Sequence, residues 1–171
     1  MAEKNLNLIL AGLNESTLQF GLERISIVLR FFDNPQNKLK VIHIAGTNAK
    51  GSVAKLIFEL LKVSGFKTGL YTSPHIRRVN ERFLLGNKEI STNELLKNIR
   101  KILSACGKLK VKLTYFEVLT AACFLYFFDE KEFIQLKDIL IESGKFEKTN
   151  NMQRITYDDV MIDLIPFGGL A

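Results

Sequence analysis

The residues with the clearest chemical potential are Gly46-Thr47-Asn48-Ala49-Lys50-Gly51-Ser52, which follow the β-branched run Val41-Ile42-His43-Ile44-Ala45. A strand that ends in small residues and opens straight into a helix gathers unpaired backbone N–H groups at one point. The positive end of the helix dipole adds to them. Lys50 brings a full charge with the reach to meet the β- and γ-phosphates of a nucleotide, and the Ser52 hydroxyl can face a magnesium ion or a phosphate oxygen. The strict G-x-x-x-x-G-K-[ST] spacing is not kept. Counted back from Lys50, its first glycine falls on Ile44, its second on Ala49 and its hydroxyl position on Gly51. On these residues alone, the turn reads either as a phosphate cradle or as a bend that only joins strand to helix.

The elements that must position this turn are legible from periodicity and caps. Ser16 to Phe31 reads as an amphipathic helix with Ser16 and Gln19 as a capping box and Leu18, Leu22, Ile25 and Leu29 on one face, stopped by Asp33-Asn34-Pro35. Past the turn, Val53, Leu56, Ile57, Leu60 and Leu61 predict a helix buried along that face, with Gly65 as its stop. Thr68 to Thr72 predicts a second strand, and Ser73-Pro74-His75 opens a polar loop to about Ile90. Capping boxes Ser91/Glu94 and Thr114/Glu117 start two more helices, the first to about Ala105 and the second, strongly apolar, to about Phe128. Asp138-Ile139-Leu140-Ile141 predicts a strand leading to Glu142. Strand, glycine turn, helix and strand in that order predict a parallel sheet flanked by helices.

Composition narrows the partners. The 171 residues, 47% hydrophobic and 25% charged, suit a soluble globular protein long enough to bury a core. The apolar run around Ala121 to Phe128 falls far short of the roughly 18 residues that span a bilayer, and Met1 to Leu10 lacks the features of a secretion signal. A net charge of +6 favours anionic partners. The basic residues are dispersed without an arginine-rich arm, which argues against nucleic acid and for phosphate-bearing small molecules. Cys106 and Cys123 fall on separate predicted helices without metal-type spacing and read as reduced core thiols of a cytoplasmic protein.

A wider pattern surrounds the turn. Gly21-Leu22-Glu23-Arg24-Ile25, Asn34-Pro35-Gln36, His43 through Ser52, Gly69-Leu70-Tyr71-Thr72-Ser73-Pro74-His75, Asn80-Glu81-Arg82-Phe83, Ile90-Ser91 and Tyr115-Phe116-Glu117-Val118-Leu119-Thr120-Ala121 occur in order. In these motifs the chain resembles the folylpolyglutamate synthase/dihydrofolate synthase family, a branch of the Mur ligase group. The resemblance implies an α/β fold, a P-loop NTPase-like parallel sheet with flanking helices (the Mur ligase central domain), here incomplete. It also implies ATP-dependent chemistry with Mg2+, in which the carboxyl of dihydropteroate or a folate is phosphorylated and the amine of glutamate attacks the acyl phosphate. Gly46, Thr47, Asn48, Ala49, Lys50, Gly51 and Ser52 would then form the ATP loop, with Lys50 also catalytic on the transferring phosphoryl group. Ser73 and Glu142 would bind magnesium, and His75, Asn80, Glu81 and Arg82 would face the pteridine-bearing substrate. Family members are usually monomeric, and no nucleic-acid or membrane partner is implied. Bland roles stand beside these: turn chemistry for Ser73, a helix cap for Glu117, and structural positions for His75 and His43.

The pattern also departs from the family. Family members follow their glutamate with E-x-G-x-G-G, a basic residue and D-A-T-N. This chain has Glu142-Ser143-Gly144-Lys145-Phe146-Glu147-Lys148-Thr149-Asn150, three residues shorter, with Glu147 at the aspartate. The strand before Glu142 is one residue short, and such a slip reverses every side chain's face. Val160 to Gly169 reads as a strand without the family's aspartate-histidine pair. Ala49 stands where the family has glycine, and a positive φ there costs an alanine about 1 kcal/mol. The domain reading is therefore a partial ATP-binding domain over 1–150, a divergent tail over 151–171, and no counterpart of the family's C-terminal domain. Functionally the expectation is a truncated ligase inactive alone. The alternatives are a non-catalytic nucleotide-binding remnant or interaction module and, more distantly, another P-loop nucleotidase or kinase.

Overall fold

A computed structural model of the chain describes residues 2–13, 21–46, 48–129, 147–149, 152–157 and 160–165. Five helices make up most of it. Helix α4 (Thr92–Leu109) and helix α5 (Tyr115–Asp129) pack together at the centre of the core. Leu95, Ile99 and Ile102 of α4 meet Val118, Leu119, Ala121 and Ala122 of α5, all fully buried. Helix α5 is apolar around most of its circumference, the pattern of a largely covered helix, with Phe116 left exposed. Helix α1 (Ala2–Ala11) adds Leu6 and Leu10, and helix α2 (Glu23–Phe31) adds Ile25, Val28 and Leu29. No helix among the described residues is long and apolar enough to cross a membrane.

Of the two predicted capping boxes, Thr114/Glu117 forms in full and Ser91/Glu94 forms its Ser91 half. Ser91 Oγ accepts from the Glu94 amide at 3.2 Å, and Thr114 Oγ1 accepts from the Glu117 amide at 3.3 Å. Glu117 returns the second bond, accepting from the Thr114 amide at 2.8 Å, and pairs with Arg24 of α2 at 3.1 Å. The cap reading of Glu117 is thus correct, and the motif residues Arg24 and Glu117 tie α2 to α5. Cys106 on α4 and Cys123 on α5 are free and buried, and burial pushes both thiols away from the reactive thiolate.

Strand β1 (Val41–Gly46) leads into helix α3 (Lys50–Val63), which returns the chain to strand β2 (Gly69–Tyr71). Strands β3 (Phe83–Leu85) and β4 (Lys88–Glu89) form a hairpin closed by Gly86, at φ 57°, and Asn87. Strands β5 (Glu147–Thr149), β6 (Met152–Tyr157) and β7 (Val160–Ile165) complete the order. The sheets run β2-β3-β4 and β1-β7-β6-β5. In the second, β7 lies antiparallel along β1 from Val41 opposite Ile165 to Gly46 opposite Val160. The stretch read as a divergent tail thus supplies β1's ladder partner.

Several expectations need correcting. Every described strand pair is antiparallel, whereas element order predicted a parallel sheet. A crossover helix permits parallel pairing of the strands it joins but does not impose it; here β1 bonds to β7 and β2 to β3. Helix α2 begins at Glu23 rather than Ser16, because Gly21 sits at φ 106° and Leu22, exposed, is the uncapped N-cap. Ser16, Leu18 and Gln19 lie outside the described residues, as do Ile139 to Ile141. The loop from Ser73 to Ile90 contains a 3-10 turn, Val79–Arg82, and the β3–β4 hairpin. Helix α1 was unforeseen, and α4 runs four residues beyond Ala105. On α3 the buried side chains are Phe58 and Leu61, while Leu56 and Leu60 are 61% and 55% exposed. The stripe through Ala54, Ile57, Phe58 and Leu61 faces inward, so the one through Leu56 and Leu60 faces out.

Candidate nucleotide and substrate site

The β1–α3 junction is a strand-to-helix corner. Gly46 ends the strand at φ 150°, and Ala49 precedes the helix in the left-handed region at φ 58°, ψ 3°. Its carbonyl accepts from the Val53 amide at 2.9 Å, closing the first helical bond. No side chain caps α3, so the amides of its first turn point into the corner without an intrahelical partner. Lys50 Nζ donates to the Gly46 carbonyl at 2.7 Å, which curls the ammonium back over the corner. Asn48, Ala49, Lys50, Gly51 and Ser52 are exposed, and a Cβ at Gly51 would meet nothing within 4 Å. Thr47 lies outside the described residues. The Ala49 conformation is the one expected for the family's glycine position, and its strain is present in the folded chain.

Ser73 follows β2 and is exposed. It lines, with Lys50 and Gly51, a cavity of about 500 Å³ between β1, α3, β2 and α5. Phe116, Thr120, Cys123 and Phe127 form one face of α5 along that cavity, at helical spacing. Gly69 fits here because it has no side chain: a Cβ would stand 2.6 Å from the Phe127 ring. The enclosed hydroxyls of Tyr71 and Thr120 make no hydrogen bond of normal geometry among the described residues. Burial pushes the Tyr71 phenol up to about 12, so it stays a neutral donor. Sequence reasoning did not single out Tyr71 or Thr120, although both lie inside quoted motifs, and the four-residue spacing from Phe116 to Thr120 was the available signal.

The segment from His75 to Arg82 is held by its own side chains. The Glu81 carboxylate accepts from the amides of Ile76 at 2.9 Å, Arg77 at 3.1 Å and Arg78 at 2.9 Å. These donors, Ile76 first, hold the carboxyl below the ordinary glutamate range. Buried Asn80 donates to the Ile90 carbonyl at 2.8 Å, fixing the segment to the start of α4. Arg82 Nε donates to His75 Nδ1 at 2.9 Å, and its guanidinium lies 5.6 Å from the centre of the Tyr115 ring. His75, Arg78, Asn80 and Tyr115 line a second cavity, of about 780 Å³, whose other wall is α1.

The structure therefore brings Lys50, Gly51 and Ser73 to one cavity and His75 and Asn80 to another, with Arg82 buried beside His75. Glu142 lies outside the described residues. A magnesium ion accompanying a nucleotide takes few protein oxygens, the phosphates and water supplying the rest, so exposed Ser73 beside Lys50 fits one. No group of three His, Cys, Asp or Glu among the described residues could hold a metal by itself.

No family model matches the chain. The dihydrofolate synthetase of Saccharomyces cerevisiae is 39% identical over 137 residues, which cover 78% of this chain and 31% of that protein. The crystal structure of folylpolyglutamate synthase from Thermotoga maritima superposes with a TM-score of 0.69 at 35% identity, over 76% of this chain and 31% of that one. A folylpolyglutamate synthase complex with AMPPCP and folate gives a TM-score of 0.71 at 31% identity, over 76% and 33%. The chain spans about a third of the length of these proteins. Over the stretch it shares with them, the chain belongs to the folylpolyglutamate synthase/dihydrofolate synthase family.

Proposed function

We propose that this chain carries the ATP-facing and substrate-facing part of a ligase that joins glutamate to dihydropteroate or a folate. The observation that carries the reading is the meeting of Lys50, at a strand-to-helix corner, with Ser73 at the mouth of one cavity. In this reaction a carboxylate oxygen attacks the γ-phosphorus of ATP and ADP leaves; the amine of glutamate then attacks the acyl carbon, forming the amide and expelling inorganic phosphate as the amine gives up its proton. An anion attacking a polyanion meets strong repulsion, so fixed cations and backbone donors must receive the charge. Lys50 and the amides from Asn48 to Ser52 would receive that charge, and by resemblance Gly46 and Thr47 belong to the same loop. Magnesium, when bound with ATP, would supply positive charge against the phosphates; by resemblance Ser73 and Glu142 are the residues that would hold it. His75, Asn80, Glu81 and Arg82 form the segment assigned to the substrate, Glu81 and Asn80 by shaping it. The β1–α3–β2 unit would be the P-loop element of a Mur ligase central domain. Packing of α3 on both strands supports that assignment.

A second reading, a nucleotide-binding module without ligase activity, is favoured by the strained Ala49 in the phosphate turn. Both readings predict magnesium-dependent ATP binding that Lys50→Ala removes, measured by calorimetry, with wild-type affinity weaker than about 100 µM. Equal affinity of the two proteins for ATP would refute the loop assignment. They divide on turnover: folate- and glutamate-dependent ADP release from the pure chain establishes the ligase, and its absence alongside ATP binding favours the module.

A further inference from the structure

Arg82 is only 5% exposed, and no carboxylate lies within ion-pair distance of it among the described residues. Its surroundings are three rings. Nε donates to His75 Nδ1 at 2.9 Å, the Tyr115 ring lies beside the guanidinium, and the Tyr71 hydroxyl faces it. A buried cation without a counter-ion is costly, so an anion that reaches it gains strongly from pairing. The geometry also says which face is kept. With Nε engaged by His75, the end of the guanidinium, its two terminal nitrogens, remains for a two-oxygen anion. His75 Nδ1 is the acceptor of that bond, so this ring nitrogen is committed to Nε and leaves the terminal nitrogens untouched. The side chain of Glu81, the nearest acid in sequence, is committed to the amides of Ile76, Arg77 and Arg78 and does not neutralise Arg82.

We propose that His75 is a positioning residue. It fixes Arg82 through Nε so that the terminal nitrogens receive a carboxylate of the folate-type substrate, an inference that rests on the substrate reading above. The role differs from contact with the substrate itself. It predicts that an acceptor at the Nδ1 position matters and that the imidazole ring does not. His75→Asn supplies an acceptor oxygen near Nδ1, whereas His75→Phe keeps the ring and removes the acceptor.

The test follows the Arg82 Nε–H signal by NMR in the 15N-labelled full chain and in both variants, with folate and ATP titrated separately. The wild type and His75→Asn are expected to show a slowly exchanging Nε–H that shifts on folate addition. In His75→Phe that signal should be lost to solvent exchange, and folate affinity should fall roughly tenfold, the effect of losing a hydrogen bond to a charged group. ATP-induced shifts at Lys50 and Gly51 should be the same in all three, which shows that His75→Phe remains folded. Persistence of the Nε–H signal in His75→Phe, or folate affinity equal to wild type, overturns the positioning role. If the wild type shows the Nε–H contrast but no response to folate, the substrate reading fails while the fixing of Arg82 by His75 stands.

Discussion

The corner between β1 and α3 and the segment between β2 and β3 face different cavities and are built in opposite ways. At the corner, first-turn amides point outward, Ala49 holds a left-handed conformation, and Lys50 reaches back to its own Gly46 carbonyl. In the segment, Glu81 gathers the amides of Ile76, Arg77 and Arg78, Asn80 is bonded to Ile90, and Arg82 is fixed to His75. The first keeps its donors for something that arrives; the second spends all but the end of the Arg82 guanidinium on its own shape. A polyanion supplies enough charge to organise a flexible cradle, because every backbone donor gains from it. A weakly charged, flat ligand supplies less, so its receptor gains more from being set in advance.

Four substitutions test this contrast, in decreasing order of expected effect. Lys50→Ala should cost about 100-fold in ATP affinity, from the loss of a charge-assisted contact, with the melting temperature nearly unchanged. Asn80→Leu should do the reverse, destabilising the fold by about 2 kcal/mol because the buried Ile90 carbonyl loses its donor. Urea denaturation measures that loss, and calorimetry should find ATP affinity unaltered. If Lys50→Ala lowers stability and Asn80→Leu lowers ATP affinity, the contrast between the two loops is wrong. Ala49→Gly should stabilise the chain by about 1 kcal/mol and tighten ATP, since glycine accepts the positive φ without the alanine's strain. A chain that becomes less stable on this change would show that the conformation carries no strain.

The smallest effect concerns Glu81 and pH. Its folded carboxyl titrates below the ordinary value, so its contribution to the segment is complete above the unfolded value near 4.3 and is lost as pH falls through the folded one. Amide exchange at Ile76, Arg77 and Arg78, followed from about pH 6 to 3, should therefore quicken on the acid side beyond the intrinsic chemical trend. Glu81→Gln should flatten that response, and an unchanged profile would remove Glu81 as the organiser.

What the sequence disclosed was local. The caps at Ser91 and Thr114 are written in residues three apart, and both hydroxyls cap their helices. The stop at Asp33-Asn34-Pro35 follows from single-residue sterics, whereas the positive φ of Ala49, which sterics oppose, was foreshadowed only by the family's glycine at that position. Less accessible was any choice between equal patterns. Helix α3 carries two apolar stripes, and periodicity alone does not say which meets the sheet. Strand partners were hidden for the same reason, since β1's neighbour lies far along the chain. Short elements such as β3 and β4 leave too few residues for alternation to register. Within the site, resemblance identified Lys50, Ser73 and the His75–Arg82 segment, but not their division between two cavities. The Arg82–His75 bond spans a 3-10 turn and has no periodic signature.

The outward stripe of α3 has a practical meaning. Leu56, Leu60 and Val63, the last 78% exposed, lie one helical turn apart along a single ridge. Water is ordered against that ridge in every dissolved molecule, and the penalty is relieved whenever two ridges meet. Light scattering should accordingly rise with protein concentration well below the melting temperature, and a lysine at Leu60 should raise the ceiling on how much stays clear.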